Sequence, residues 1–196
     1  ISVKKNSNIK SVKNHVFFTN KNFGIRDINK LPISKFSSFV NKSISSNNLD
    51  QKKFLSLDIN AAQKIILIKI EKNQSILETE KIGAEFYTYL KSNLFLKTTF
   101  YEQNIKNVDT QNKYFFDQFI QGLQLKSYEF NKYKSKSKEK KFDIEIINKN
   151  KSFKFNRDKK FKSLIEGINF TKDLVSEPGN ILHPDEYVKR LLRLKK

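Results

Sequence analysis

The run IILI at 65–68 places apolar side chains on both faces of an extended segment. Such a strand is typical of a sheet covered on both sides, because successive side chains point to opposite faces. A second apolar run, from Phe54 to Ile59, precedes it across the short segment 60–63. The two runs therefore predict adjacent strands of a sheet with a layer on either face.

Strands and helices alternate along the rest of the chain. Further strands are predicted at 1–5, 15–19, 98–101 and 142–146, the first two as a hairpin or a neighbouring pair. Helices are predicted at 32–44, 75–94, 109–128 and 158–177, with another beginning at 184. Ser75 and Glu78 have the spacing of a capping box, and Gly83 allows a partner to pack closely. This alternation predicts an α/β layered domain with a central mixed sheet flanked by helices.

The predicted helices carry apolar stripes that should face the core. The stripes contain Ile33, Phe36, Phe39, Val40 and Ile44; Ile82, Phe86, Tyr89, Leu90 and Leu94; Phe115, Phe116, Phe119, Ile120 and Leu123; and Phe161, Leu164, Ile165, Ile168 and Val175. The last helix begins an apolar face for which the sequence offers no partner, formed by Tyr187, Val188, Leu191 and Leu192.

Several classes of protein are excluded by what the sequence lacks. No apolar run approaches the roughly 18–20 residues that span a bilayer, and the N-terminal segment lacks the apolar core of a secretory signal. The chain has no cysteine, which excludes disulfides, thiolate zinc sites and cysteine nucleophiles. We therefore expect a cytoplasmic protein with no membrane partner.

A net charge of +19 makes nucleic acid a possible partner. Arginine, which reads bases through paired hydrogen bonds, occurs only four times, and the other cations are lysines spread along the chain. Lys, Asn, Ile and Phe are favoured by AT-rich codons, so genome composition also explains the bias. The best basic and aromatic patch is the run Lys132 to Lys141 with Tyr128, Phe130 and Tyr133. A basic α/β nucleic-acid-binding module therefore stands as the alternative function, and a solvated linker is the simpler interpretation of the run.

Catalytic constellations are weak in this sequence. His15 and His183 are the only histidines and do not have metal-ligand spacing; a strand residue beside the core and a helix-entry residue explain them. Asp143 and Glu145 share one strand face, which makes paired-carboxylate catalysis conceivable, but an exposed face of a half-buried strand is the simpler explanation. The five glycines, at 24, 83, 122, 167 and 179, are isolated and form no phosphate-binding loop.

Two ordered motifs near the C-terminal end resemble one known family. The stretch TKDLVSEPGN at 171–180, followed by ILHPDEYV at 181–188, is similar to the segment "ARDLVNEPAN" and "xLTPxxYA" that joins the two domains of leucyl aminopeptidases, peptidase family M17. Upstream, GLQLKSYEFNKYK at 122–134 is similar to the family's "GxxLxxYxFxxYK". The strand at 65–70 is compatible with the family's "LLVGLGK", although the glycines are replaced. The first 110 residues resemble the family by element order only.

The resemblance implies a non-catalytic, macro-domain-like N-terminal α/β domain at 1–157. It implies a connecting helix and the start of a truncated catalytic domain at 158–196. In that family two divalent metals, Mn or Zn, bound by Lys, Asp and Glu, activate water to remove N-terminal amino acids from peptides. Those motifs, "NTDAEGR" among them, are absent here, so no catalytic, metal or substrate-binding residue is assigned, and the fragment alone should be inactive. The expected partners are its own catalytic domain, peptide substrates and further copies in a homo-oligomer, a hexamer by resemblance.

Overall fold

A mixed sheet of six strands forms the centre of the computed structural model, which describes residues 1–6, 12–46, 49, 51–134, 141–147 and 159–195. The strands lie in the order β1-β6-β5-β2-β4-β3, and only β3 runs antiparallel to its neighbour. Their bounds are β1 Ser2–Asn6, β2 Asn14–Thr19, β3 Phe54–Asn60, β4 Gln63–Lys69, β5 Lys97–Tyr101 and β6 Asp143–Ile147. The predicted α/β class and mixed sheet are confirmed.

Six α-helices accompany the sheet in the described residues. They are α1 Ser37–Ser45, α2 Ile76–Ser92, α3 Glu102–Lys106, α4 Phe115–Ser127, α5 Lys159–Ser176 and α6 Pro184–Leu192. No helix in these stretches is long and apolar enough to cross a membrane.

The first two strands form neither a hairpin nor a neighbouring pair, so that prediction was wrong. β1 lies at the edge and pairs in parallel with β6, whereas β2 lies between β4 and β5. A hairpin requires antiparallel neighbours, but every partner of β1 and β2 runs parallel to them. The adjacent strands predicted on either side of 60–63 are confirmed as β3 and β4, which run antiparallel with Leu55 opposite Leu67.

Two apolar cores cover the two faces of the sheet. On one face, Phe18, Phe100 and Phe119 pack with ring centroids 5.1–5.9 Å apart, beneath α2 and α4. On the other face, Phe17 of β2 packs in a second core with Val40 of α1. Residues 65–68 of β4 are 0% exposed, which confirms the strand predicted to be covered on both sides.

The α2 and α4 helices touch through their glycines. A Cβ at Gly83 would lie 2.0 Å from the carbonyl oxygen of Phe119, and a Cβ at Gly122 would lie 1.9 Å from that of Glu80. The close packing predicted at Gly83 is therefore confirmed. The capping box is also present, because the Ser75 hydroxyl accepts from the amide of Glu78 and the Glu78 carboxylate accepts from the amide of Ser75.

Two helix boundaries differ from prediction for local reasons. The helix predicted from Asp109 begins at Phe115, because side chains bind the backbone amides that precede it. The Thr110 hydroxyl accepts from the amide of Asn112, and the side-chain oxygen of Asn112 accepts from the amide of Tyr114. The helix predicted from 32 begins at Ser37, after a 3-10 turn.

The α2 helix also ends earlier than predicted. Leu94 has a φ of 55°, and the amide of Phe95 donates to the carbonyl of Leu90, as in a Schellman motif that usually carries glycine. Leu94 is 58% exposed and does not belong to the apolar face. Phe39 at 43%, Leu164 at 42% and Val175 at 81% exposure were likewise wrongly predicted as core.

Candidate functional site at the junction of the two motif segments

The two motif segments meet at the carboxylate of Glu177, directly after α5. Its side chain is 1% exposed. It accepts hydrogen bonds from the ammonium of Lys132 and the hydroxyl of Tyr133, both in the loop after α4, and from Nη1 of Arg190 in α6 at 2.9 Å. One buried carboxylate thereby joins three parts of the fold: the loop after α4, the end of α5 and α6.

These donors set the ionisation of the group. The bonds from Lys132 and then Tyr133 lower the pKa of Glu177 to about 2, against the opposing effect of burial. The same contacts raise the pKa of Lys132 and of Tyr133. Glu177 is therefore a carboxylate at neutral pH, with cationic partners that compensate the loss of water.

The α6 helix is attached to this carboxylate through one arginine. Arg190 binds Glu177 and also places its Nε 3.1 Å from the carboxylate of Glu186, one turn earlier in the same helix. His183 is the exposed N-cap residue and Pro184 the first helical residue, as the sequence predicts. The arginine thus fixes the direction in which α6 leaves the junction.

A second set of contacts holds α5 against the end of α4. The hydroxyl of Tyr128 donates to Asp173 at 2.7 Å, and the ammonium of Lys172 lies 5.0 Å from the centre of the Tyr128 ring. That ammonium also donates to the backbone carbonyl of Leu125 at 3.0 Å, which satisfies a carbonyl in the last turn of α4. Two separate sets of contacts therefore hold the junction together.

The chemistry of this arrangement is structural. Both oxygens of Glu177 already accept hydrogen bonds from charged or hydroxyl donors, so the group orients its neighbours and is not poised to take a proton from a substrate. Beyond the junction, α6 and the turn after it expose apolar side chains, namely Tyr187, Val188, Leu191, Leu192 and Leu194.

His15 lies in the sheet, apart from the junction. It is 5% exposed in β2, and its Nδ1 lies 2.6 Å from the hydroxyl of Tyr101. Burial lowers the pKa of His15 to about 4 and raises the pKa of Tyr101. The interpretation of His15 as a strand residue beside the core is confirmed.

Asp143 and Glu145 do not lie on an exposed face, so that interpretation was wrong. Glu145 is 9% exposed and Asp143 half-buried, on the face of β6 where Ile147 packs in the core with Phe17. Glu145 pairs with Lys97 at 2.7 Å, and Asp143 accepts from the hydroxyl of Ser2. Each carboxylate has its own partner, and no histidine lies between them.

Metal-ligand geometry is not found in the described ranges: no three His, Asp or Glu side chains converge there. The predicted lysine patch is divided. Lys132 is engaged by Glu177, Lys134 and Lys141 are exposed, and residues 135–140 lie outside the described residues. The nucleic-acid alternative stays a prediction.

Comparison with known proteins agrees with the two motifs. The chain is 28% identical over 182 residues to a probable cytosol aminopeptidase of Phytoplasma mali, covering 90% of this chain and 36% of that protein. A probable cytosol aminopeptidase of Dinoroseobacter shibae is 28% identical over 174 residues, covering 87% of this chain and 33% of its own length. The chain matches the N-terminal part of cytosol aminopeptidases. It spans about a third of the length of these relatives.

The fold of the cytosol aminopeptidases is also matched. A mutant of tomato leucine aminopeptidase superposes with a TM-score of 0.65 at 16% identity, covering 98% of this chain and 42% of that structure. No family model matches the chain.

The sequence did not identify the residues of the junction. Glu177, Lys132 and Tyr133 all lie inside the matched motifs, but their contact depends on how α5 packs on α4. The signal that was available is the position of Glu177 before Pro178, where an acidic residue at a helix end needs compensating cations.

Proposed function

We propose that the chain is the N-terminal, non-catalytic part of a cytoplasmic metallo-aminopeptidase of peptidase family M17, which removes N-terminal amino acids from peptides. The observation that carries the proposal is the similarity over 182 residues to a probable cytosol aminopeptidase. The sheet topology supports it, because the same architecture occurs in tomato leucine aminopeptidase.

The two divalent metals of the proposed reaction, Mn or Zn, do not fit the residues described here, since three ligating side chains do not converge in those ranges. We place the metals and their ligands in another part of the protein. When bound, they would activate water and polarise the peptide carbonyl. The 196-residue chain alone is expected to have no peptidase activity.

We assign a structural role to the described residues: they hold α6 in place and orient it. Glu177 fixes α6 through Arg190, and α6 carries the exposed apolar residues Leu191 and Leu192 toward the proposed catalytic domain. In the complete protein that domain, and further copies in a homo-oligomer, a hexamer by the resemblance, would cover these side chains.

The experiment begins with the encoding DNA beyond the codon for Lys196. An open frame that continues into Lys- and Asp-containing metal motifs and an NTDAEGR-like segment is the expected result. The longer product should release leucine from leucine amide with Mn²⁺ or Zn²⁺ present and stop when a chelator is added. The 196-residue chain, prepared in the same way, is the matched control and should show no release.

Two results would refute the proposal. One is a stop codon directly after Lys196, and the other is a longer product that folds and binds metal but releases no amino acid. Peptidase activity in the 196-residue chain alone would contradict the assignment of the metals to another part of the protein.

A further inference from the structure

A cleft of about 1130 Å³ opens at the carboxyl ends of β2 and β4, beside the N-terminal end of α2. Its walls are the segment after β2, the segment after β4 and the short helix α3. Ligands of open α/β sheets bind in the crevice outside the carboxyl ends of parallel strands, where neighbouring connections leave toward opposite faces. The cleft therefore lies where this fold class places a binding site.

The connections of this sheet satisfy that rule. The chain after β2 passes to α1, whose Val40 packs in the core of one face. The chain after the neighbouring strand β4 passes to α2, whose Phe86 packs in the core of the other face. Because the two connections separate, the ends of β2 and β4 leave a space between them.

The floor of the cleft is held by a buried asparagine. The pairing of β2 with β5 ends at Val16 and Phe100. Beyond that point Asn104 of α3 replaces a strand neighbour: its side chain accepts from the amide of Phe18 at 2.8 Å and donates to the carbonyl of Phe18 at 3.0 Å. Asn104 is 2% exposed, so the strand end below the cleft is fixed.

The rim of the cleft is also fixed. The side-chain oxygen of Asn20 accepts from the amides of Asn22 and Gly24 at 3.0 and 2.9 Å. Phe23, with a φ of 59°, is fully buried between them and anchors the turn. A Cβ at Gly24 would lie 3.0 Å from Nδ2 of Asn20, so the turn is tightly closed.

Cations outnumber acids among the residues that line the cleft, five to three. Lys53 is paired with Glu85 outside the lining, and Lys72 lies 3.6 Å from Asp109. Lys21 and Arg26, both on the segment after β2, are exposed and have no ion pair with any described residue. Two cations of this kind in the lining of one cleft favour an anionic ligand.

One lining residue also lacks a hydrogen bond. Gln74 is 9% exposed, and its Oε1 is buried with no donor among the described residues. A buried hydrogen-bond acceptor without a donor lowers the stability of the fold. An N–H or O–H group of a ligand would supply the hydrogen bond that this oxygen lacks. Ile70 and Ile82 add apolar surface to the lining.

We propose that this cleft binds a small organic anion whose phosphate or carboxylate group contacts Lys21 and Arg26 and whose N–H or O–H group donates to Gln74. An apolar or planar body between these groups lies against Ile70 and Ile82. The site is separate from the junction at Glu177 and does not depend on the proposed peptidase function.

The test is an amide NMR titration of the 196-residue chain with four probes: AMP, malate, adenosine and inorganic phosphate. We expect AMP or malate to cause saturable shifts in residues 19–26, 70–74 and 104–109. AMP binding alone assigns a phosphate ligand, and malate binding alone assigns a carboxylate ligand. Adenosine lacks the anion and inorganic phosphate lacks the apolar or planar body, so both should bind at least about tenfold more weakly.

Variants identify the contacts. Lys21→Ala with Arg26→Ala should weaken binding about tenfold, whereas Lys42→Ala with Lys126→Ala, which removes the same charge from exposed positions outside the cleft, should change it less than about twofold. Gln74→Met should weaken binding about fivefold while the amide spectrum stays that of the folded chain.

Three results would overturn the site. The first is the absence of saturable shifts with AMP and with malate. The second is an equal loss of affinity in both double variants, which would mean that only the net charge attracts the anion. The third is inorganic phosphate binding as tightly as AMP or malate, which would leave the apolar lining without a role.

Discussion

Replacing Gly83 by alanine should destabilise the protein by forcing the α2 and α4 helices apart. The new Cβ would lie 2.0 Å from the carbonyl oxygen of Phe119, and ordinary contact begins near 3.4 Å. The obstructing atom belongs to the backbone of α4, so a rotation of a side chain cannot make room. The helices must separate by roughly 1.4 Å, or the residues between them must shift by as much.

The magnitude follows from two opposing terms. Overpacking of a well-packed contact costs about 1–3 kcal/mol, and a backbone obstruction belongs at the upper end of that range. Alanine in place of glycine in a helix returns about 1 kcal/mol. We expect a net loss of about 2 kcal/mol in the free energy of unfolding, or roughly 4–8 °C in the melting temperature. Gly122→Ala, with its Cβ 1.9 Å from the carbonyl oxygen of Glu80, should behave alike.

The measurement is urea unfolding followed by far-ultraviolet circular dichroism. Gly167→Ala is the matched control, because a Cβ there meets nothing within 4 Å on the exposed side of α5. The control should be stabilised by up to about 1 kcal/mol through helix propensity alone. If Gly83→Ala and Gly122→Ala shift the urea midpoint in the same direction as Gly167→Ala, the close contact of α2 with α4 is not present in solution.

Three further changes test other features. Asn104→Ala leaves the amide and carbonyl of Phe18 buried without partners and should lower the free energy of unfolding by about 2 kcal/mol or more. An unchanged urea midpoint would contradict the two hydrogen bonds between Asn104 and Phe18. His15 has its pKa lowered to about 4 by burial, so the unfolded chain binds the proton first as pH falls, and unfolding free energy should drop by about 2 kcal/mol from about pH 7 to about pH 5. His15→Gln should remove that drop, and equal pH dependence in both proteins would refute it. The pKa of Glu177 is lowered from 4.5 to about 2, so its contribution is present above 4.5 and is lost as pH falls toward 2. The melting temperature of Glu177→Gln should therefore lie below that of the wild type at neutral pH, and the difference should narrow in acid. Glu166→Gln, at an exposed position of α5, is the control. A difference that does not change with pH would mean that the ionised form of Glu177 is not the stabilising one.

The parts of the fold that short-range pattern determines could be predicted from the sequence. The strand at 65–68 is apolar at every position, so its burial on both faces does not depend on knowing its neighbours. The capping box at Ser75 and Glu78 lies within one helical turn. The contact at Gly83 followed from the missing side chain on an apolar helix face.

The failures depend on partners far away in the sequence. Glu145 has the pattern of an exposed strand face, but it is 9% exposed and pairs with Lys97 of β5, far away in the sequence. Leu94 was assigned to a helix face because its left-handed conformation is unusual for leucine. For the candidate site, the motifs pointed to the right segments, but Glu177 and Lys132 are 45 residues apart and meet only through the packing of α5 on α4. The cleft has no sequence motif, because its charges and its orphan oxygen come from separate loops.

The position of β1 at the sheet edge has a consequence for folding during synthesis. Ser2 contacts Asp143 across 141 residues, and the strand between β1 and the rest of the sheet is β6, the last strand of the described chain. At common translation rates the ribosome needs on the order of ten seconds to make that intervening stretch. Until then β1 has no docking site, while β2, β3, β4 and β5 can already pair. Of the six described strands, β1 is therefore the first to be synthesised but can pair only once β6 has been made, and a nascent chain stalled before residue 143 should leave residues 2–6 open to protease.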